Sequence, residues 1–450
     1  MNCDALILAA GLGTRMKSKT PKVLHSIGGI PMLMWSIGAA RDATGRPPYV
    51  VVGPERSLIE DAIQGDVRLV DQSERLGTGH AVMQAAQHLQ DKSELVLVLY
   101  GDMPLLSAAT LTALVDVQKR NPGPLTILTA KPAVSRGFGR ILRNGAGAIT
   151  GIMEEAHASA EQKRIKELNV GMYCFEAEWL WGHLSQLPLS PKEEYYLTDM
   201  IHLAVEEGNQ VAWTEVEDED EIIGVNNRHH LAEAQAAVQR RVNRKWMLSG
   251  VSMPDPASVY IGPNVKIGAD TTILPNTHLQ GTTTIGEDCV VGPNSIIQDS
   301  AIGDSCEILM SVVREAILED DVDIGPFAHL RRGAHLQRGV HMGNFGEVKE
   351  SVLGPGVKMG HFSYVGDTTI GENSNIGAGT VTCNFDGKNK NKTIIGGDVF
   401  IGSATMLVAP IQLGDGSRTG AGSVVTRDVA DHTLVAGVPA RAIRKLNHSD

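Results

Sequence analysis

The sequence predicts an α/β protein in two unlike parts, a helix-covered open sheet followed by a parallel β-helix, with one helix between them. Three observations predict it. Short apolar runs alternate with helical stretches as far as about residue 228. From about residue 251 an aliphatic side chain recurs at every sixth position. Between the two lies an alanine-rich, charged segment with its apolar residues at helical spacing.

In the first part, Leu6–Ala10, Tyr49–Val52, Leu95–Leu99 and Leu125–Thr129 read as strands bounded by turn residues, and Gly79–Leu89 and Ala108–Val117 as helices. Strand–helix alternation predicts a parallel sheet covered on both faces. Such sheets bind ligands beyond the carboxyl ends of their strands. Two glycine-containing turns fall there, Gly11–Gly13 in "LILAAGLGTRMKSKTPKVL" and Tyr100-Gly101-Asp102 in "VLYGDMPLL". The first is neither a P-loop nor the dinucleotide fingerprint, since Met16 stands where a third glycine is required. Glycines let backbone N–H groups approach an anion, and Arg15, Lys17, Lys19 and Lys22 follow to neutralise it. A plain strand-to-helix turn with a solvated basic tail accounts for this stretch equally well. Asp102 is a natural Mg²⁺ ligand if phosphate lies nearby, or else a turn former. "LGTGHA" (76–81) is a helix entry suited to a base edge or phosphate, or a simple N-cap by Thr78. The asparagines of "GVNNR" (224–228) suit a metal or a helix cap.

In the middle segment, Leu231, Val238, Val242 and Trp246 share one helix face, and Ser249-Gly250 and Pro254 stop it. The third part carries Ile261, Ile267, Ile273, Leu279, Ile285, Val291 and Ile297 six apart. The phase slips and resumes at Leu318, Ile324, Leu330, Leu336, Met342 and Val348. It resumes again at Ile395, Ile401, Leu407 and Leu413, with Val425 in phase and Thr419 breaking it. A sixfold period fits neither an alternating strand nor a helix face. It fits a parallel β-helix of hexapeptides, each aliphatic pointing into a prism. At ~4.8 Å per strand and three hexapeptides per coil, the stack runs about 45 Å. "CNFDGKNKNKT" (383–393) breaks the period and reads as an excluded polar loop. The expected domains are therefore 1–228, 229–250 and 251–450.

Composition sets outer limits. At 450 residues the chain exceeds one core. Aromatics are scarce at 4%, and 49 glycines suit tight, repetitive backbone. A net charge of −12 argues against a general nucleic-acid binder, which needs a basic face. Five scattered cysteines without CxxC spacing argue against a disulfide framework or zinc site, and fit a cytoplasmic protein. No apolar stretch reaches the ~20 residues that cross a bilayer. The first residues lead into a strand-like run rather than a charged-then-apolar leader.

Taken in order, "LILAAGLGTRM…PKVL", "QSERLGTGHA", "YGDMPL", "FGRI", "ELNVGMY", "EEYYLTDMI" and "GVNNR" resemble the sugar-nucleotide pyrophosphorylases. "NFGEVK", "HFSYVGD", "NIGAGTVTCNFDG" and "VAGVPAR" resemble the acetyltransferase arm of the bacterial bifunctional N-acetylglucosamine-1-phosphate uridylyltransferase / glucosamine-1-phosphate N-acetyltransferase family. The resemblance covers nearly the whole chain. It implies a Rossmann-like nucleotidyltransferase domain and a left-handed β-helix of hexapeptide repeats in a cytoplasmic homotrimer. It implies that Leu8, Ala9, Ala10, Gly11, Arg15 and Lys22 surround UTP phosphates, with Arg15 and Lys22 offsetting charge as pyrophosphate leaves. Gln72, Gly77 and Thr78 would hold uracil; Tyr100 and Gly101 belong to the same nucleotide site. Asp102 and Asn226 would hold Mg²⁺, and Gly139, Glu154 and Asn169 the sugar. On the β-helix, His361 would be the base that frees a sugar amine to attack acetyl-CoA, oriented by Glu347. Arg331 and Lys349 would hold the sugar phosphate. Tyr364, Asn375, Asn384 and Lys390 would meet sugar or acetyl-CoA, and Ala378, Phe385, Ser403, Ala421 and Arg441 (or Arg444) the CoA path. The loop 383–393 is expected to carry Asn384 and Lys390 across to a neighbouring chain's His361.

Four positions depart from the family pattern: Phe385 where tyrosine is usual, Ala156 for lysine, Gly346 for valine and Arg332 for proline. One alternative stays open, a monofunctional sugar-1-phosphate nucleotidyltransferase whose β-helix only oligomerises. His361, Glu347 and the loop 383–393 speak against it, because a structural rod has no use for them.

Overall fold

Cys3–Leu8 (β1) is buried along its whole length because it lies at the centre of a sheet with neighbours on both sides. The computed structural model describes residues 1–63 and 65–446. Beside β1 run Tyr49–Val52 (β2), then Arg68–Asp71 (β3), all parallel. The chain then returns to the other side of β1 as Leu95–Tyr100 (β4), also parallel. From there it moves outward through Leu125–Ala130 (β5). Connections that leave β1 and β4 in opposite directions open a crevice above their carboxyl ends. Leu8 and Tyr100 are paired residues at that crevice, so the two predicted turns are neighbours by construction.

The sheet is mixed rather than all parallel as expected. Arg140–Arg143 (β6) and Ile149–Met153 (β7) form a hairpin that leads into Leu168–Glu176 (β8). β8 runs antiparallel between β4 and β5. A hairpin needs no crossover helix, which frees this strand from the parallel rule. Val211–Glu215 (β9) closes the edge beside β5. The sheet order is β9-β5-β8-β4-β1-β2-β3. Helix 79–89 is broken at Ala85, giving Thr78–Gln84 and Ala86–Leu89. The next helix runs past its expected end, over Ala108–Arg120, with Ser107 Oγ accepting from Thr110 N at 3.1 Å as the N-cap.

The connecting helix spans Arg228–Leu248. Asn227 Oδ1 caps it through His230 N at 2.9 Å. The chain divides inside this helix into two compact units, Met1–Val238 and Gln239–Asp450. In the first unit, Gln235 accepts from Gly28 N at 2.7 Å. In the second, Asn243 Nδ2 donates to Pro256 O and Val259 O, and Val242 and Trp246 pack on the hexapeptide core.

The second unit is a left-handed parallel β-helix with three sheets of ten, nine and eleven short strands. Ile261 pairs with Leu279 and Leu279 with Ile297, an advance of 18 residues per coil. The phase slips where Ile297 meets Val313, because that coil is two residues shorter. It breaks again where Thr382 meets Leu407, because that coil contains the predicted loop. Thr419, the polar residue in an aliphatic position, is buried and satisfied: its Oγ1 accepts from Gly402 N at 2.9 Å and lies 3.0 Å from Thr405 Oγ1. Gly346 points inward, and a Cβ there would lie 2.7 Å from the Met342 methyl and 2.9 Å from that of Met359. Two flexible methionines fill the space that a valine would occupy.

Two candidate active sites

The first site opens where β1 and β4 end. Ala9 N still bonds Val51 O at 2.9 Å, and beyond it the chain leaves the sheet as the glycine loop. Gly13 has φ +61°, and a Cβ would meet the Lys22 side chain at 2.5 Å, so only glycine lets the loop fold back over that lysine. Nothing lies within 4 Å of a Cβ at Gly11, which faces open space. The loop, with Lys22, Gln72, Gly77, Thr78, Tyr100 and Asp102, lines a pocket of about 460 Å³.

Its chemistry is a cluster of cations held on oxygens. Lys22 Nζ is bonded to the Asp102 carboxylate and lies 3.4 Å from Asn226 Oδ1, which also accepts from Arg15 Nη2 at 2.8 Å. Asp102 O in turn accepts from Val225 N at 2.8 Å, tying the two loops together. An aspartate oxygen and an amide oxygen thus converge on one positive atom. This hard-oxygen donor set is the kind Mg²⁺ takes when phosphate completes its shell.

At the pocket's far side, Gly77 has φ +97° and its Cβ would fall 2.5 Å from Tyr195 O. Tyr195 N bonds Leu76 O and Gly79 N bonds Tyr195 O, so this turn is clamped from both sides. Gln72 is buried and its amide reaches Gly77 O and His80 Nδ1. Thr78 Oγ1 accepts from Leu197 N at 3.0 Å. Burial, with Asp102 nearby, pushes the Tyr100 phenol well up.

The three proposed sugar residues also meet. Asn169 N bonds Gly139 O at 2.9 Å, and Asn169 Nδ2 donates to Tyr173 OH at 2.8 Å. Gly139 has no room for a side chain, since its Cβ would meet Ile152 at 2.8 Å. Glu154 passes beside Gly139, and loss of solvation raises its carboxyl above the usual range, opposed by the Thr198 hydroxyl. Arg75, Leu12, Glu194 and Tyr196 also line the pocket, and sequence reasoning did not single them out.

The second site is spread over successive coils. Arg331, Glu347, Lys349 and Tyr364 lie on neighbouring strands of one β-helix face. Asn384, nearly buried, donates to Asp367 Oδ2 at 2.5 Å and lies 3.5 Å from Tyr364 OH. The Lys390 ammonium pushes Lys349 below the ordinary lysine range, so these two cations share one patch. The loop starts with Phe385 exposed and bridged to Lys390, and Asp386 accepts from Lys388 N and Asn389 N.

One expectation changes here. Glu347 accepts from Arg331 Nη1 at 2.8 Å, and among the described residues no hydrogen bond joins it to His361. The reason is geometric: Glu347 stands on a face, whereas exposed His361 stands at a corner. His361, Ala378, Ser403 and Ala421 each lie three residues past a registered position (358, 375, 400 and 418), so they form one vertical column. Asn375 lies on the strand before that corner. Arg441 and Arg444 lie on the last strand, Ala440–Lys445. Arg332, one of the departures, points outward 3.7 Å from Glu315. Ala156 is exposed beside Glu155, whose carboxylate pairs with buried Arg140 at 2.5 Å.

Residues 5–163 match the MobA-like NTP transferase domain. Residues 264–299 match the bacterial transferase hexapeptide (six repeats), and residues 392–427 the hexapeptide repeat of succinyl-transferase. The chain is 46% identical to a bifunctional protein GlmU of Heliobacterium modesticaldum over 94% of its own length and 93% of the relative's. It is 44% identical to that of Geotalea uraniireducens, over 96% of both chains. It is 44% identical to that of Carboxydothermus hydrogenoformans, over 99% of both. With both units matched and close relatives aligned from end to end, the chain belongs to the bifunctional GlmU family.

Proposed function

We propose that this enzyme acetylates glucosamine-1-phosphate with acetyl-CoA on its β-helix. Its N-terminal unit then transfers UMP from UTP to the N-acetylglucosamine-1-phosphate, giving UDP-N-acetylglucosamine for cell-wall precursors, and pyrophosphate. The observation that carries this reading is that one chain holds two separate polar clusters, one on each fold, in a family named for two activities.

In the first reaction, a sugar-phosphate oxygen attacks the α-phosphorus of UTP in line with the departing pyrophosphate. Positioning and electrostatics do this work, and no protein nucleophile is needed. The N–H groups of Ala10 and Gly11, past the last ladder bond at Ala9, would face the phosphates. Arg15 and Lys22, already held by Asn226 and Asp102, meet the charge that grows on the leaving group. Gln72, Gly77 and Thr78 present polar edges to uracil, while Gly139, Glu154 and Asn169 receive the sugar. Mg²⁺, held by Asp102 and Asn226, would neutralise the phosphate oxygens. Lys22 would yield those oxygens and turn to the phosphates.

In the second, His361 takes the proton of the attacking amine, because an ammonium has no lone pair. Arg331, Lys349 and Lys390 form the cationic patch for the sugar phosphate, with Glu347 steadying Arg331. Tyr364, Asn375 and Asn384 orient the sugar and the thioester. The column Ala378, Ser403 and Ala421, with Phe385 and Arg441, lines the CoA path.

We further propose a homotrimer in the cytoplasm. Five free thiols suit a reducing compartment. Phe327, Phe345 and Phe362 stack up one corner of the β-helix, each more than half exposed, with the first two rings 5.2 Å apart. Such a ladder suits burial against a second copy.

The two half-reactions test the function separately. Pyrophosphate release from UTP and N-acetylglucosamine-1-phosphate should require Mg²⁺ and stop with chelator. Thiol release from acetyl-CoA and glucosamine-1-phosphate should continue in the same chelator. A protein that performs only the first would return the β-helix to a purely oligomerising role.

A further inference from the structure

We infer that Arg75 is a positioning residue for the phosphate loop, and that it sets the affinity for the nucleoside triphosphate. This rests on the reading that the pocket at β1 and β4 takes UTP. Arg75 Nε donates to Ala10 O at 2.6 Å. Among the described residues this is the one side-chain hydrogen bond made to residues 9–13. The other end of the guanidinium pairs with the Glu55 carboxylate. The side chain is three-quarters buried, at 25% exposed. Room for it depends on Gly53, where a Cβ would lie 2.7 Å from Arg75 Nη2. Arg75 therefore bridges the ends of two adjacent strands, β1 through Ala10 and β2 through Gly53 and Glu55, from the wall of the same pocket.

The consequence follows from peptide geometry. A carbonyl drawn outward turns the next N–H of the same peptide plane the opposite way. Fixing Ala10 O on Arg75 thus aims the Gly11 N–H away from the guanidinium. Glycine at position 11 leaves the backbone free to rotate, so without Arg75 this N–H is not pre-oriented. The guanidinium also places a further positive charge in the pocket wall, beyond Lys22 and Arg15, tempered by Glu55. A lysine cannot replace it, because one ammonium does not present the planar fork that reaches both Ala10 O and Glu55.

Steady-state kinetics of the full-length enzyme test this, varying UTP and N-acetylglucosamine-1-phosphate in turn for Arg75→Ala, Arg75→Lys, Glu55→Gln and the Arg75→Ala/Glu55→Gln pair. The expected result is a rise of about tenfold in KM for UTP in Arg75→Ala. The KM for the sugar phosphate, the kcat and the acetyl transfer should stay within about twofold. Arg75→Lys should recover little, Glu55→Gln should be milder, and the double variant should be no worse than Arg75→Ala, because the two act as one unit. An unchanged KM for UTP in a well-folded Arg75→Ala overturns the inference. So does an equal loss in both substrates and in kcat, which marks general damage to the fold. If wild-type enzyme failed to turn over UTP at all, the reading of the pocket would fall first, and the two failures are thereby told apart.

Discussion

Asp102 shows how much one residue can be asked to do. Its carboxylate holds Lys22, and its backbone holds Val225, so it joins the strand end to the asparagine loop. Asp102→Asn keeps the shape and removes the charge. Uridylyl transfer should fall by about 10²-fold or more while acetyl transfer stays within about twofold. Near-normal Mg²⁺-dependent turnover would reduce Asp102 to a turn residue. His361 makes the matching case on the other unit. His361→Ala should lower acetyl transfer at neutral pH by about 10²–10⁴-fold, and raising the pH should restore part of it as the amine deprotonates in solution. A rate equal to wild type at pH 7 would make it a surface histidine. Asp102 and Lys22 stood out as candidates because they sit in short motifs with a chemical reason, whereas His361 was singled out by the family resemblance of "HFSYVGD". Arg75 was not legible, although it stands inside "QSERLGTGHA". Its partners, Ala10 O and Glu55, are distant in sequence, and a backbone carbonyl leaves no mark in a sequence at all. The link between Glu347 and Arg331 was missed for a related reason. Only the register of the coils says which outward side chains are neighbours.

At the scale of elements, the hexapeptide phase was legible to the residue, since the mid-strand inward position of nearly every coil carries an aliphatic, while the buried corner positions beside it also take Thr, Ser and Cys. Its exceptions have local explanations. Thr419 satisfies its hydroxyl inside the core, and Gly346 makes room for Met342 and Met359. Gly346→Val should therefore overpack that layer and destabilise the β-helix by about 1–3 kcal/mol, read as a lower thermal midpoint. The loop 383–393 is an element apart. Asn391 N bonds Asn384 O at 2.7 Å, so its ends already meet. Replacing residues 385–390 with a two-glycine turn should leave the thermal midpoint within a few degrees, because no core residue is lost. It should abolish acetyl transfer, because Lys390 goes with it. A shortened enzyme that still acetylates would show that the loop only decorates the coil. The antiparallel strand Leu168–Glu176 was the element that eluded sequence reading. Its nine residues are apolar enough for any central strand, and direction is set by the hairpin before it rather than by its own composition.

For the whole molecule, the division into two units was visible in the change of period from strand–helix alternation to six. The exact break was not, since the helix Arg228–Leu248 contributes side chains to both cores. A homotrimer should show three times the 48.1 kDa chain mass in solution. Phe327→Asp with Phe345→Asp should shift that mass toward one chain and cost acetyl transfer more than uridylyl transfer, because the CoA column stands next to the aromatic corner. A wild-type mass of one chain at micromolar concentration would remove the trimer. The central claim is that one chain performs both transfers in sequence. The most direct measurement is to incubate the purified protein with glucosamine-1-phosphate, acetyl-CoA, UTP and Mg²⁺ and to identify the sugar nucleotide by mass. The expected product is UDP-N-acetylglucosamine, with free CoA and pyrophosphate in equal amounts to it. UDP-glucosamine with acetyl-CoA untouched, or no sugar nucleotide at all, would contradict it.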